Sequence, residues 1–460
     1  MMRWLEPAKS VLLILLVAIS FLLTWMIWTN QPNFQLIEPP KYTESKPVLE
    51  HPLEKLVAPE SVIFHYGKDR HTKALSTDAQ YNVIRREMSK WIFLDFSAHT
   101  LSDEEWEEIA REKFGVEVRF RTSIPISVVG KLVTFRDELD SKLNEADRIW
   151  LYYEPEEDLV YGLLLSKKED KVVRSRTSIS PKDLRKSYLA TGELMPEQIM
   201  KVVKREADAA PSSHGKTVYW DMYYLPKNQV KMLHYRYSYA RVDNEQMMEA
   251  FFLDQSLVRQ IVERDKTVIF TDGSRSIQYR PEQLAITFTD PSDQKSKEKL
   301  SDEEKLQGAV SFINKHLGWM DDFYLESIRE SFNEKDIFTF RQYLGAYPLV
   351  SQGNMRIDTL QVISEAGQVV VMHRSLLDLE KYQDYEEQIV MSGPELFQLI
   401  RERQLADTEK IRNAYLAYQT TITDKYVDLN PVWVVEVENN PTLYVPARTG
   451  QGGGDADGLE

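Results

Sequence analysis

The pattern of apolar and polar positions changes abruptly near residue 30. Residues 10–29 read S-V-L-L-I-L-L-V-A-I-S-F-L-L-T-W-M-I-W-T, with no charge, and roughly 20 apolar residues in helical rise cross the hydrocarbon of a bilayer. A single transmembrane helix is predicted there, preceded by a short terminus, residues 1–9. Over residues 30–59 the pattern is broken by Pro32, Pro39, Pro40, Pro47, Pro52 and Pro59. Prolines at that density suit neither a helix nor an inner strand, so this stretch is read as an extended stalk.

Beyond the stalk, helical and strand periods alternate. In residues 60–210, Ser61-Val-Ile-Phe-His-Tyr reads as a strand, 78–94 as a helix, and Val116-Glu-Val-Arg-Phe as a half-buried strand. Ser102 and Glu105 form a capping box for a helix that Gly115 should close. Further strands are predicted near Ile149, Leu159 and Lys171, and a helix over 196–208. A central unit, residues 215–292, opens with tyrosine-rich strands over 217–225 and 230–241. A helix over 245–263 follows, then a hairpin turning at Asp272-Gly273, a type I′ signal. A third unit, residues 300–448, begins Leu300-Ser-Asp-Glu-Glu, repeating the letters of Leu101-Ser-Asp-Glu-Glu. The repeat is read as one good N-cap solution used twice rather than as duplication. Gly318 closes that helix, Glu365-Ala-Gly joins two strands, and Ser392-Gly-Pro-Glu caps a helix to about 404. Strands at Pro431-Val-Trp-Val-Val-Glu-Val and Thr442-Leu-Tyr-Val-Pro end the core. Residues 449–460 are polar and glycine-rich, a disordered tail by composition. The fold class is α+β: one N-terminal helix, then a multi-domain region of mixed antiparallel sheets and helices.

Composition narrows the function. The 460 residues carry 57 Lys and Arg against 72 Asp and Glu, a net charge of −15. The bases are interspersed with acids, so no basic stripe marks a nucleic-acid partner. Cysteine is absent, which excludes a lipoprotein anchor and fits an exterior where disulfides are little used. A cleaved signal peptide would have a shorter apolar core ending in small residues. This one ends Trp25-Met-Ile-Trp28, so an uncleaved anchor is expected, with Trp4 at one membrane interface and Trp25 and Trp28 at the other. Basic residues flank the two ends almost equally. The short first tail favours a cytoplasmic N-terminus and an extracytoplasmic bulk.

A search for chemistry finds none that needs an enzyme. The eight histidines show no i, i+4 pair and no H-E-x-x-H, so they are read as solvated or core residues, and no metal or cofactor is expected. Ser292-Asp-Gln-Lys295 matches S-x-x-K but lacks its companion motifs. The acids from Asp103 to Glu108 suit the first turns of a helix. Tyrosines 219, 223, 224, 235, 237 and 239 read as the half-wet face of a sheet, the alternative being a ligand groove. Within the membrane helix, Ser20 and Thr24 share a face, with Ala18 nearby. Small residues let helices approach and hydroxyls bond between them, or each hydroxyl can return to its own i−4 carbonyl.

Two ends of the chain then matter together. Thr24-Trp-Met-Ile-Trp-Thr-Asn-Gln-Pro-Asn-Phe, a membrane helix running into W-T-N-Q-P-N and an aromatic, resembles the start of the YycH family, also called WalH. The third unit, closing on Pro431-Val-Trp-Val-Val-Glu-Val, resembles a C-terminal module that the family shares with its partner YycI, itself similar to PepSY-type folds. The resemblance implies a regulator, not an enzyme. Such proteins act with a YycI-like protein on the YycG (WalK) sensor kinase of Gram-positive bacteria, in part through membrane-helix contacts, and so tune cell-wall metabolism. Ala18, Ser20 and Thr24 become the expected partner contacts. The alternative is an exported PepSY-type module that restrains a wall hydrolase or protease.

Overall fold

A computed structural model of the chain describes residues 13, 15–25, 50–139, 142–204, 220–291, 300–331, 335–353 and 355–448. Trp4, Trp28, Tyr219, most of the expected stalk, Ser292 with Lys295, and the 449–460 tail lie outside the described residues.

Two large sheets organise the rest. The first has ten strands, ordered Trp220–Pro226, Glu197–Lys204, His71–Leu75, Ser61–Tyr66, Phe114–Pro125, Glu145–Glu154, Leu159–Ser166, Lys171–Thr177, Ile92–His99 and Thr134–Phe135. All neighbours are antiparallel except the last pair. The second has fourteen strands and runs from the edge strand Arg259–Val262 to the edge strand Leu377–Val390. Residues 215–292 do not make a sheet of their own. Trp220–Pro226 is the outermost strand of the first sheet, whereas Val230–Arg241 and the strands from Arg259 to Thr289 belong to the second. One apolar core joins the two, with Phe64, Trp91 and Phe93 from one side and Phe288, Trp319 and Phe340 from the other.

The expected helix over 196–208 is instead the strand Glu197–Lys204. Met200 and Val202 pack into one core and Val203 into another, so both faces are covered and the alternation of a strand is hidden. The helix expected over 245–263 stops at Phe251. Asp254 accepts from the Ser256 amide and starts a 3₁₀ turn there, and Arg259–Val262 is extended. Gly115 does not close the helix after Ser102. A π turn over Glu108–Glu112 ends it, and Gly115 lies in a strand with its Cα facing Leu151 too closely for a side chain. The Asp272 hairpin exists, but Thr271 pairs with Ser276, leaving a four-residue loop. The Asp272 carboxylate accepts from the amides of Ser274 and Arg275 and so favours the wider turn. The two-residue turn falls at Ala366 and Gly367, both with positive φ, between Glu365 and Gln368.

Residues 50–58, expected as the end of the stalk, are folded in. Leu53, Leu56 and Val57 are buried, and the short helix Leu53–Leu56 follows Pro52, where the missing N–H costs nothing. All three capping boxes form, at Ser102, Ser301 and Ser392.

Candidate functional site

Two regions are candidates for a functional role. The first is the N-terminal apolar stretch, helical at residues 13 and 15–25. Among the described residues no helix is long and apolar enough to cross a membrane. Within this stretch Thr24 donates its hydroxyl to the Ser20 carbonyl at 2.9 Å, the local alternative for that side chain. Its oxygen lone pairs remain able to accept. Ala18, Ser20 and Trp25 are exposed on the same helix. So are the large apolar side chains, up to Phe21 at 75 %. A helix that is apolar all round is covered by lipid or by other helices.

The second region is a cleft of about 590 Å³ between the sheets. Lys73, Arg119, Arg121, Arg148 and Asp221 come from the first sheet, and Arg412, Tyr415 and Glu436 from the second. Two local irregularities open it. The pairing of Phe114–Pro125 with Glu145–Glu154 jumps from Arg119↔Arg148 to Ile124↔Ala146, so Phe120, Arg121, Thr122 and Ser123 stand opposite Asp147 alone. A second shift between Ile411 and Asn413 leaves Arg412 out of register. Bulges of this kind re-aim side chains.

Beneath the cleft lies a buried polar network. His65 and His71 are register partners on either side of a hairpin, and their Nδ1 atoms are 3.0 Å apart. His65 stacks on Trp150, with centroids 4.6 Å apart, and its Nε2 faces Glu117 Oε2 at 3.5 Å. Tyr224 donates to the same oxygen at 3.0 Å. Glu117 Oε1 takes Arg119 at 3.3 Å and faces Arg148 at 3.8 Å. Burial disfavours the charged Glu117, but Arg119, the His65 ring and Arg148 outweigh it and hold the carboxyl down at about 2. Burial, helped by His65, pushes His71 down to about 4, against the pull of Asp69. Asp221 is likewise held below the carboxylate range, burial being overcome by Arg148 and Lys167.

Sequence reading leaves the histidines as solvated or core residues and misses the network. The available signal was His65 and His71 bracketing Gly67-Lys-Asp-Arg70 at mirror positions of a tight hairpin, with Glu117 and Arg119 two apart on one strand face. Among the described residues no three His, Asp or Glu side chains are grouped to hold a metal ion. Of the tyrosines, Tyr223 and Tyr224 are buried beside the cleft. Tyr235 and Tyr237 pack with Tyr382 in a half-buried cluster on the second sheet.

Comparison with known proteins covers nearly the whole chain. Residues 6–195 match the family described as YycH protein, N-terminal domain, and residues 221–446 match YycH protein, C-terminal domain. The Bacillus subtilis (strain 168) protein named two-component system WalR/WalK regulatory protein YycH is 21 % identical over 461 residues, covering 94 % of each chain. The crystal structure of YycH from Bacillus subtilis superposes with a TM-score of 0.66 at 16 % identity, covering 87 % of this chain and 99 % of that one. That likeness establishes the α+β fold with its large sheets.

Proposed function

The chain belongs to the YycH family, and on that premise we propose that it is a membrane-anchored regulator of a WalR/WalK-type two-component system. The carrying observation is that the two domains of the family, in order, account for residues 6–195 and 221–446. In this reading residues 10–29 span the membrane, the N-terminus is cytoplasmic, and the two-sheet body is extracytoplasmic. With a YycI-like partner, the helix favours one arrangement of the WalK kinase bundle, and cell-wall metabolism follows. The exposed apolar side chains of residues 13 and 15–25 support a helix covered by lipid and partner helices. Ala18, Ser20 and Thr24 form its small-residue face.

Physically, such a helix biases the kinase only through differential contacts with its two states. The test replaces residues 10–29 with an unrelated apolar helix of equal length and measures transcription from a kinase-dependent promoter. Changed output with unchanged membrane content supports the helix-driven mode, and unchanged output sinks it. Co-purification of the full chain from membranes should recover a YycI-like protein and the kinase.

A further inference from the structure

We propose that the cleft between the sheets binds the carboxylate end of a short peptide, with Lys73 as the anion-binding residue. The inference goes beyond the regulatory reading, and failure of the helix exchange would leave it untouched.

Charge is the first argument. The cleft gathers seven Lys and Arg and five acidic side chains in a chain whose net charge is −15, so the local sign is reversed. Six of the cations are already engaged. Arg119 donates to Glu117 and to the Met222 carbonyl, and Arg148 pairs with Asp147 and Asp221. Lys167 pairs with Asp221, Lys168 with Glu145, and Arg412 with Glu438. Arg121 donates to the Ala58 carbonyl and lies over the Tyr324 and Tyr343 rings.

Lys73 is different. It projects from His71–Leu75 into the cleft, half-buried, with no hydrogen bond or ion pair among the described residues. Glu60, Arg119 and Glu117 act on it only through space, and burial lowers its pKa. A partly desolvated ammonium without a hydrogen-bonded counter-ion is unfavourable, and an arriving carboxylate supplies a charge-assisted hydrogen bond.

The second argument is the acids. Glu60 and Glu436 line the same cleft, which disfavours a dianion such as phosphate and suits a zwitterion whose ammonium they meet. The volume lies within the roughly 300–1,000 Å³ of ordinary ligand sites.

The experiment is calorimetric titration of the full chain in detergent with tri-alanine, its C-terminal amide and its N-acetyl form, each to roughly 20 mM. Tri-alanine should bind saturably at one site, and the amide roughly tenfold or more weaker, as loss of one charge-assisted bond requires. N-acetylation should weaken it less. Lys73→Gln should lose the difference between acid and amide, and Lys73→Arg should keep it. No binding of tri-alanine, equal affinity for acid and amide, or wild-type discrimination in Lys73→Gln overturns the proposal.

Discussion

Glu117→Gln tests the buried network most directly. Glu117 is fully buried, and its two oxygens serve four neighbours: Arg119 and Arg148 on one side, Tyr224 and His65 on the other. An amide has the same shape but replaces one acceptor oxygen with a donor, which must then face either guanidinium groups or the Tyr224 hydroxyl. Arg148, 2 % exposed in its side chain, keeps Asp147 and Asp221 but loses its buried counter-charge in Glu117. Removing one partner of a buried ion pair costs about 3–5 kcal/mol. The displacement of the Glu117 carboxyl from 4.5 to about 2 corresponds to about 3 kcal/mol at neutral pH, in agreement. Because the folded value lies below the unfolded one, this stability is complete above pH 4.5 and drains as pH falls towards 2. His71, depressed from 6.5 to about 4, loses its contribution over a higher acid window present in both proteins, so it largely cancels in the difference. Urea unfolding followed by tryptophan fluorescence, repeated from neutral pH into acid, should show a gap of about 3 kcal/mol that narrows below pH 4.5. A gap under about 1 kcal/mol at neutral pH, or one independent of pH, would refute the reasoning.

Asp321 titrates with the opposite sign. Burial, with Asp378 beside it, raises its carboxyl to about 7, so its stability is present below the unfolded value and is lost as pH rises through 7. Asp321→Asn should raise the thermal midpoint most at about pH 8, less at about pH 5 and not at all below the unfolded value of 3.8, read by differential scanning calorimetry. Gly115→Ala places a Cβ 2.5 Å from the Leu151 carbonyl oxygen, an atom fixed by strand pairing, and should cost about 1–3 kcal/mol in urea. Ser301→Ala removes a cap whose hydroxyl accepts from the Glu304 amide while Glu304 returns to the Ser301 amide. The expected loss is about 1 kcal/mol, and Glu304→Gln should lose much less. Trp433→Ala empties a fully buried site and frees the Met391 carbonyl it holds at 3.1 Å, with an expected loss of about 3–5 kcal/mol.

Local chemistry was legible in the sequence wherever it decided the outcome. Ser102, Ser301 and Ser392 cap as their spacing requires because a hydroxyl and a carboxyl three residues apart satisfy each other without tertiary help. Val427–Val437 reads as a strand from its β-branched and aromatic run, and Leu159–Ser166 from its continuous apolar one. What failed was decided at a distance. Glu197–Lys204 carries apolar side chains for two different cores, which erases its period. The stretch 50–58 looks proline-broken, yet Leu53 and Val57 have a hydrophobic cavity waiting. The cleft was illegible for a related reason. It needs Lys73, Arg119, Arg148, Asp221 and Glu436 together, and nothing in their spacing announces that pairing of sheets. Family resemblance at the two ends of the chain supplied the functional reading that periodicity could not.

The way the chain enters the folded body clasps its two sheets together. His51 donates its amide to Asn314 and receives from the same side chain through its carbonyl. Asn314 also takes the Trp319 indole at 2.6 Å, and the His51 ring stacks on that tryptophan. Lys55 reaches Asp322 on the next strand. Within a few residues of Glu50, then, the chain is pinned to the helix Asp302–Lys315 and the strand Asp322–Glu330 of the second sheet, while Leu53 and Leu56 fill the core shared with the first. That entry point touches both sheets at once. Glu117, Arg148 and Asp221, by contrast, tie strands within the first sheet alone, so the clasp between the sheets at this point is made by residues 50–58.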